Sequence, residues 1–400
     1  MLSFQEARSK VLSNVTPLGH ERVALRQALG RVLGQQVRAR APFPLFSASA
    51  MDGYAVATST FEGEGPFTLE LAGESKMGGV APKLVPGMAC RIFTGAALPD
   101  GADAVVIQED VARDGNHITF ATVPPRGANI RLGGEDLQVG DVAIDVGIRI
   151  SPFQLSLAAS LEYAELIVAE RPSVTIVCTG DELRAPGEPP RPGTIAESNA
   201  VGLTALAERA GAVVRVAPLV GDDRDATARA VADAIRRSDL LVTVGGASVG
   251  DHDLVRPALE RAGVALEFWK VAIKPGKPLA WGRAGRTYAL ALPGNPASSL
   301  VTFSLFGMPL LRALQGDRHP LPTTLKLPLA TAISRKTGRL EFMRATLVQE
   351  NGQPAVATLA NQASGAVTSM GWADALAMIP PDVATLAPGD VVEVLRLCDV

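Results

Sequence analysis

Four stretches of this chain pass directly from an apolar, strand-like run to residues that bind ions. The run 174–178 is followed by Thr179-Gly180-Asp181-Glu182, which combines a hydroxyl, a glycine that permits a tight turn and two carboxylates. The run 241–244 is followed by Gly245-Gly246-Ala247-Ser248-Val249-Gly250-Asp251-His252-Asp253. Paired glycines let backbone N–H groups approach a phosphate closely, and Ser248 adds a hydroxyl donor. Asp251 and Asp253 set carboxylates beside that loop. Carboxylate and phosphate repel, so the pairing makes sense only if a cation bridges them. Magnesium commonly binds through one or two carboxylates plus substrate phosphate. Asp253 also suits the cap of the next helix, which favours Asp251 as the metal ligand.

In 268–278, Lys270, Lys274 and Lys277 interrupt an otherwise apolar segment. On one strand Lys270 and Lys274 share a face, and the turn at Pro275-Gly276 brings Lys277 toward the same space. The run 289–292 leads into Pro293-Gly294-Asn295-Pro296-Ala297-Ser298-Ser299. That rigid turn delivers a helix N-terminus, where free N–H groups and the macrodipole attract anions. Each stretch also has an ordinary reading: a polar turn, a glycine-rich turn with a capping aspartate, lysines on an exposed edge strand, a plain helix cap. Together on one sheet they say more, because open α/β sheets bind ligands beyond the carboxyl ends of their strands. They predict a phosphorylated ligand held with a divalent metal. Histidine adds little: His20, His117 and His319 stand in no constellation, and no Ser-His-Asp or Cys-His arrangement is evident.

Periodicity supplies the elements that must position these residues. Ser3 and Glu6 form a capping box for a helix with apolar residues at 4, 7, 11, 12 and 15. A second helix is expected over 23–33. The segment 41–49 reads as extended. The glycine- and proline-rich stretch after it, with short β-type runs such as 91–94 and 104–108, reads as a small β-rich domain. Ser151 caps a helix that begins at Pro152. From 172 onward, strands at 174–178, 213–217, 240–244, 266–271 and 287–292 alternate with helices at 199–211, 225–237, 254–262 and 297–311, Asn199 capping the first. Such alternation implies a largely parallel sheet with helices on both faces. Beyond 321 the pattern is all-β: a strand at 324–331, a hairpin of 341–350 and 355–359 about Asn351-Gly352, and a last strand at 390–397. The fold expected is multi-domain, α/β plus β, ending in a small barrel or sandwich.

Composition narrows the function classes. The chain has 400 residues, 47% hydrophobic and 20% charged, enough to bury a sizeable core. Its 38 basic and 41 acidic residues leave a net charge of −3 with no basic block, which argues against a nucleic-acid surface. Cys90, Cys178 and Cys398 form no CxxC pair, and so sparse a set suits a reducing, cytoplasmic compartment. The apolar stretch 297–311 is short for a membrane span and contains Pro309, so it reads as a buried helix.

Further motifs carry a family resemblance. Ser49-Ala50-Met51-Asp52-Gly53-Tyr54-Ala55-Val56, Arg91-Ile92-Phe93-Thr94-Gly95-Ala96, Gly101-Ala102-Asp103-Ala104-Val105-Val106 and Gly134-Glu135-Asp136 occur in order. After them come 179–183, Glu197-Ser198-Asn199, 246–253, 270–278 and 293–299. In these the chain resembles the molybdopterin molybdenumtransferase family, which includes the E domain of gephyrin, over essentially its whole length. It departs at Ala297, where a β-branched residue is expected, and at Ala196-Glu197.

The resemblance implies a homodimer of four-domain subunits: 1–45 with 137–171, an inserted β-rich domain at 46–136, an α/β molybdopterin-binding domain at 172–320, and a β-barrel at 321–400. It implies a reaction of adenylylated molybdopterin with molybdate and Mg2+ that yields molybdenum cofactor and AMP. Glu182, Asp222 and Asp251 become catalytic acids, with Glu182 and Asp251 on the metal, and Asp181 a further acid of the site. Lys270, Lys274 and Lys277 would bind phosphate or the molybdate dianion, as would Arg344 and Ser364 from the C-terminal domain. Thr179, Gly180, Ser198, Asn199, Gly245, Gly246, Ser248, Pro293, Asn295 and Ser298 would line the substrate site. Asp52, Thr94 and Asp136 would reach it from the partner subunit. Asp52 could instead cap the turn before Gly53, and Arg344 could sit on a solvated strand face. The resemblance also leaves room for transient contacts with other molybdenum cofactor biosynthesis proteins. Rival readings are the enzyme that adenylylates molybdopterin, whose glycine loop reads Gly-Gly-Thr-Gly on the α/β domain alone, a non-catalytic scaffold, and a molybdate-binding protein.

Overall fold

A computed structural model describes residues 1–245 and 254–399. The expectations for Gly246, Ser248 and Asp251 therefore lie outside the described residues. Three six-stranded sheets organise the chain.

The central sheet runs in the order Val213–Val216, Ser173–Cys178, Leu240–Val244, Thr287–Leu292, Pro278–Ala284, Ala265–Lys270. Its first four strands are parallel and the last two antiparallel. Side chains alternate across it, as strand geometry requires. Ile176, Val242 and Leu290 join one core with the helices Asn199–Arg209 and Pro296–Thr302. Val177, Leu241 and Ala289 join another with Arg224–Arg237 and Val255–Arg261. Successive connections from Ser173–Cys178 and Leu240–Val244 run to opposite sides of the sheet, so a crevice opens between these two carboxyl ends. The helix Pro296–Leu314 is long and apolar, but 83% of its most apolar window is buried, which makes it a core helix. A π segment, Phe303–Gly307, accommodates Pro309 one turn on.

Several sequence expectations are corrected. The strand Pro278–Ala284 was not anticipated; it forms a hairpin with Thr287–Leu292. Residues 23–33 are not a helix. His20–Ala24 is a strand paired antiparallel with Glu165–Ala169, followed by a single 3-10 turn at Leu25–Gln27. Gly30, at φ 72°, ends any helical continuation, and Gly34 N–H donates to the Ile167 carbonyl at 2.9 Å. Pairing across the chain here overrides a local apolar rhythm. Residues 270–274 are not one strand either. Lys270 closes the edge of the central sheet, whereas Ile273–Lys274 pairs with Leu340–Glu350 of the C-terminal sheet. The shared face proposed for Lys270 and Lys274 does not exist.

The second sheet, within 46–136, runs Ala104–Ile107, Gly53–Val56, Ala89–Ile92, Phe67–Ser75, His117–Phe120, Val111–Asp114. Gly53 is required there, because any Cβ would collide with the Val106 carbonyl oxygen. The C-terminal sheet runs Ile273–Lys274, Leu340–Glu350, Ala375–Ile379, Val391–Arg396, Thr324–Pro328, with Gln353–Thr358 also on Leu340–Glu350. Ala330 N–H donates to the Val356 carbonyl at 2.8 Å and closes the barrel. Asn351 and Gly352 turn its hairpin with φ of 49° and 76°, as a type I′ turn demands. The N-terminal helix Phe4–Leu12 has the expected capping box and packs its buried Phe4 edge-on against Phe306 and Phe342, joining the central core to the barrel.

Candidate active site

The carboxyl ends of the central strands meet within van der Waals reach. Thr179 N–H donates to the Val244 carbonyl at 3.0 Å, and Gly180 N–H to the Val220 carbonyl at 3.0 Å. Gly245 has φ 94°, and a Cβ there would press on the Thr179 carbonyl oxygen at 2.5 Å. A Cβ on Gly294 would lie 3.4 Å from Gly245 Cα. Of the close approaches here, the one of the Gly245 turn to Thr179 requires a residue without a side chain.

A cavity of about 520 Å³ opens over these turns. Thr179, Gly180, Glu182, Ser198, Asn199, Asp222, Gly245, Pro293 and Asn295 all lie in its wall, with Cys178 at its floor. Asp181 does not; its Oδ1 accepts the Asp222 N–H at 2.9 Å and so supports the loop that carries Asp222. Asn199 is not a helix cap. It is the first helical residue, and its Nδ2 donates to the Gly294 carbonyl at 2.9 Å while its Oδ1 accepts from Ser299 Oγ at 2.9 Å. The capping is done by buried Glu197, whose carboxylate accepts the N–H groups of Asn199 at 2.7 Å and Ala200 at 3.0 Å. Burial and the neighbouring Glu197 carboxylate push the Cys178 thiol far above its ordinary range, so it is an inert wall.

A second cavity, of about 530 Å³, adjoins the first and shares Pro278, Pro293 and Asn295 with it. Its wall carries Lys274, Lys277, Ser298, Arg339 and Ser364, three cations and two hydroxyls. Asn295 stands on the ridge between the cavities and donates from Nδ2 to Ser364 Oγ at 3.0 Å. The helix beginning at Pro296 offers less than expected. Ala297 N–H is taken by the Ser364 carbonyl at 3.1 Å, and the N–H groups of Ser298 and Ser299 by the Asn295 carbonyl. No N–H of 297–299 is free for an anion, and the positive end acts only through its field.

Other expected residues fall elsewhere. Lys270 lines neither cavity. Arg344 is fully buried, neither an oxyanion ligand in the wall nor on a solvated face. Its Nε donates to Ser369 Oγ at 2.9 Å and its Nη2 to the carbonyls of Asn361 and Ala363 at 3.1 and 3.0 Å. It shapes the loop that presents Ser364, and burial pushes its guanidinium down from its usual range. Arg339, which the sequence reading missed, takes the place in the wall. Asp52, Thr94 and Asp136 line neither cavity of their own chain. Asp52 Oδ1 accepts from Thr94 N–H at 2.7 Å and Thr94 Oγ1 at 2.8 Å, bonds that hold its carboxyl below the usual range. Asp136 pairs with Arg131.

The described residues contain no group of three or more potential metal ligands. Glu182 and Asp222 nevertheless place two carboxylates in the first cavity, neither with an ion-pair partner among the described residues. A hard divalent cation, which takes one or two protein carboxylates and completes its shell from phosphate, fits that donor set.

A mixed α/β sheet with two adjoining polar cavities at its strand ends, one carrying carboxylates and the other cations, defines an α/β fold with a two-part polar site. Family comparisons agree. Residues 2–161 match the MoeA N-terminal region (domain I and II), 175–313 a probable molybdopterin binding domain, and 326–397 the MoeA C-terminal region (domain IV). The chain is 35% identical to the molybdopterin molybdenumtransferase of Haemophilus influenzae, over 98% of each chain. It is 36% identical to molybdopterin molybdenumtransferase 2 of Mycobacterium tuberculosis, over 99% of this chain and 100% of that one. The crystal structure of the molybdopterin biosynthesis moeA protein from Pyrococcus horikoshii OT3 superposes with a TM-score of 0.86 at 28% identity, covering 99% and 100% of the two chains. This chain belongs to the molybdopterin molybdenumtransferase family.

Proposed function

We propose that this chain inserts molybdate into adenylylated molybdopterin, releasing AMP and forming molybdenum cofactor. The observation that carries this reading is the pair of adjoining cavities. The acidic cavity at the strand ends suits the pterin nucleotide and its cation. The cationic one suits a tetrahedral dianion and abuts it across Asn295. Glu182, with Asp251 of the sequence that follows Gly245, would hold Mg2+. A cation there supplies polarisation of the pyrophosphate link between pterin and AMP. Thr179, Ser198 and Asn199 orient the nucleotide, and Asp222 completes the acidic wall. Lys274, Lys277 and Arg339 offset the dianion's charge, and the Ser298 and Ser364 hydroxyls donate to its oxygens. Holding the dianion one ridge away from the pyrophosphate makes transfer follow AMP release without loss of either reactant to solvent.

The reading extends to a cytoplasmic homodimer of four-domain subunits, divided at about the expected boundaries, in which Asp52, Thr94 and Asp136 of one subunit complete the site of the other. Anaerobic incubation of purified protein with adenylylated molybdopterin, molybdate and magnesium should release AMP in step with cofactor formation. Asp251→Asn should abolish AMP release while leaving thermal unfolding unchanged; wild-type turnover by that variant would remove the metal role. AMP retained by the wild-type chain, with molybdate bound, would favour a molybdate-binding protein instead.

A further inference from the structure

Glu341 is 4% exposed, and its carboxylate meets two cations, one at each oxygen. On the cavity side, Lys274 Nζ lies 2.7 Å from Oε1. On the barrel side, Arg335, with a side chain 4% exposed, places Nη1 3.5 Å from Oε2. A carboxylate this buried is tolerated only when paired. Arg335 is itself fixed: Nη1 donates to the Ile379 carbonyl at 3.2 Å, Nη2 to the Arg339 carbonyl at 2.8 Å, and Nε to the Lys336 carbonyl at 3.1 Å. Arg339 in turn donates from Nη1 to the Ile273 carbonyl at 3.4 Å, the residue before Lys274. Two of the three cations of the second cavity, Lys274 and Arg339, thus lead back to one buried pair.

We infer that Glu341 and Arg335 are positioning residues that fix Lys274 and Arg339 for the incoming oxyanion, an inference that rests on the function proposed above. A lysine on its flexible four-carbon stem loses much rotamer freedom on binding. Tethered to a fixed carboxylate by one of its three N–H donors, it keeps two for the ligand with that freedom already spent. The barrel therefore contributes to the site in two ways, by Arg339 and Ser364 in the wall and by Glu341 behind it.

The test is binding of sodium molybdate to the purified full-length chain by equilibrium dialysis. Glu341→Gln keeps the shape and removes the charge. It should raise the molybdate Kd about tenfold, the size of coupling seen within one salt-bridge network, and the KM for molybdate should rise while kcat changes little. In a Lys274→Ala background the same substitution should cost clearly less, because only the route through Arg335 to Arg339 remains. A merely structural Glu341 would cost the same in both backgrounds, and that result would overturn the inference. Glu341→Asp, which retains the charge, should give an intermediate loss and serves if the glutamine variant folds poorly. Unchanged Kd in both variants would overturn the positioning role alone. A wild-type chain that binds no molybdate would overturn the functional reading and this inference with it.

Discussion

At the scale of single residues, the site depends on glycines as much as on charges. Gly276 lies between the lysines of the oxyanion cavity with φ 102°, and a Cβ there would strike Thr302 Cγ2. Thr302 cannot yield easily, because its hydroxyl is anchored to the Ser298 carbonyl at 2.7 Å and its side chain is buried. Gly276→Ala should therefore push the Lys274–Lys277 turn outward and destabilise the fold by about 1–3 kcal/mol from overpacking and a left-handed φ. Molybdate binding should weaken by more than global stability alone explains. Denaturant unfolding together with dialysis checks this, and wild-type values in both would show that the turn has slack. Residue chemistry was also where the sequence misled. Arg344 and Arg339 lie five positions apart on the same polar–apolar barrel segment, and nothing local distinguishes them. Which one lines the cavity follows from the 361–364 loop, whose carbonyls at Asn361 and Ala363 hold Nη2 of the buried Arg344.

At the scale of elements, three of the four parallel strands, Ser173–Cys178, Leu240–Val244 and Thr287–Leu292, are legible because each is a short, largely apolar run that ends at a glycine-containing turn. Those ends are where the first cavity opens. Pairing partners were not legible. The segment 23–33 shows apolar residues at helix-compatible spacing, but its first part finds a distant strand at 165–169. The lysine stretch has the pattern of one strand but bridges two sheets. The helix Asn199–Arg209 shows a similar substitution of partners. Its cap residue Ser198 makes no side-chain cap bond, and Glu197 takes the N–H groups instead. Glu197→Gln retains one acceptor and loses the charge at a helix N-terminus. It should lower stability by about 1–2 kcal/mol. It should also raise the KM for the pterin nucleotide, since Asn199 would lose its fixed place against Gly294. Thermal unfolding with steady-state kinetics separates the two effects; an unchanged melting temperature would assign the capping to another group.

At the scale of the whole molecule, Asp52 and Thr94 form a compact, hydrogen-bonded pair exposed on the inserted sheet, outside both cavities of their own chain. A structural turn would explain the bonds. It accounts for the lowered carboxyl as well, and the dimer proposed above would give the same pair a second role, facing the other subunit's nucleotide. The two-fold dimer proposed above makes this testable, because its two sites would each be built from both chains. Asp52→Asn and Asp251→Asn homodimers should both be inactive. Mixed and allowed to exchange subunits, they form heterodimers in which one site carries both substitutions and the other carries neither. With random exchange, half the dimers are mixed, so activity should return to about a quarter of the wild-type value. No recovery after exchange, verified by tagged subunits, would place Asp52 in the same site as Asp251 of its own chain or outside catalysis altogether. Immediate activity of the Asp52→Asn homodimer would reduce that residue to a turn cap.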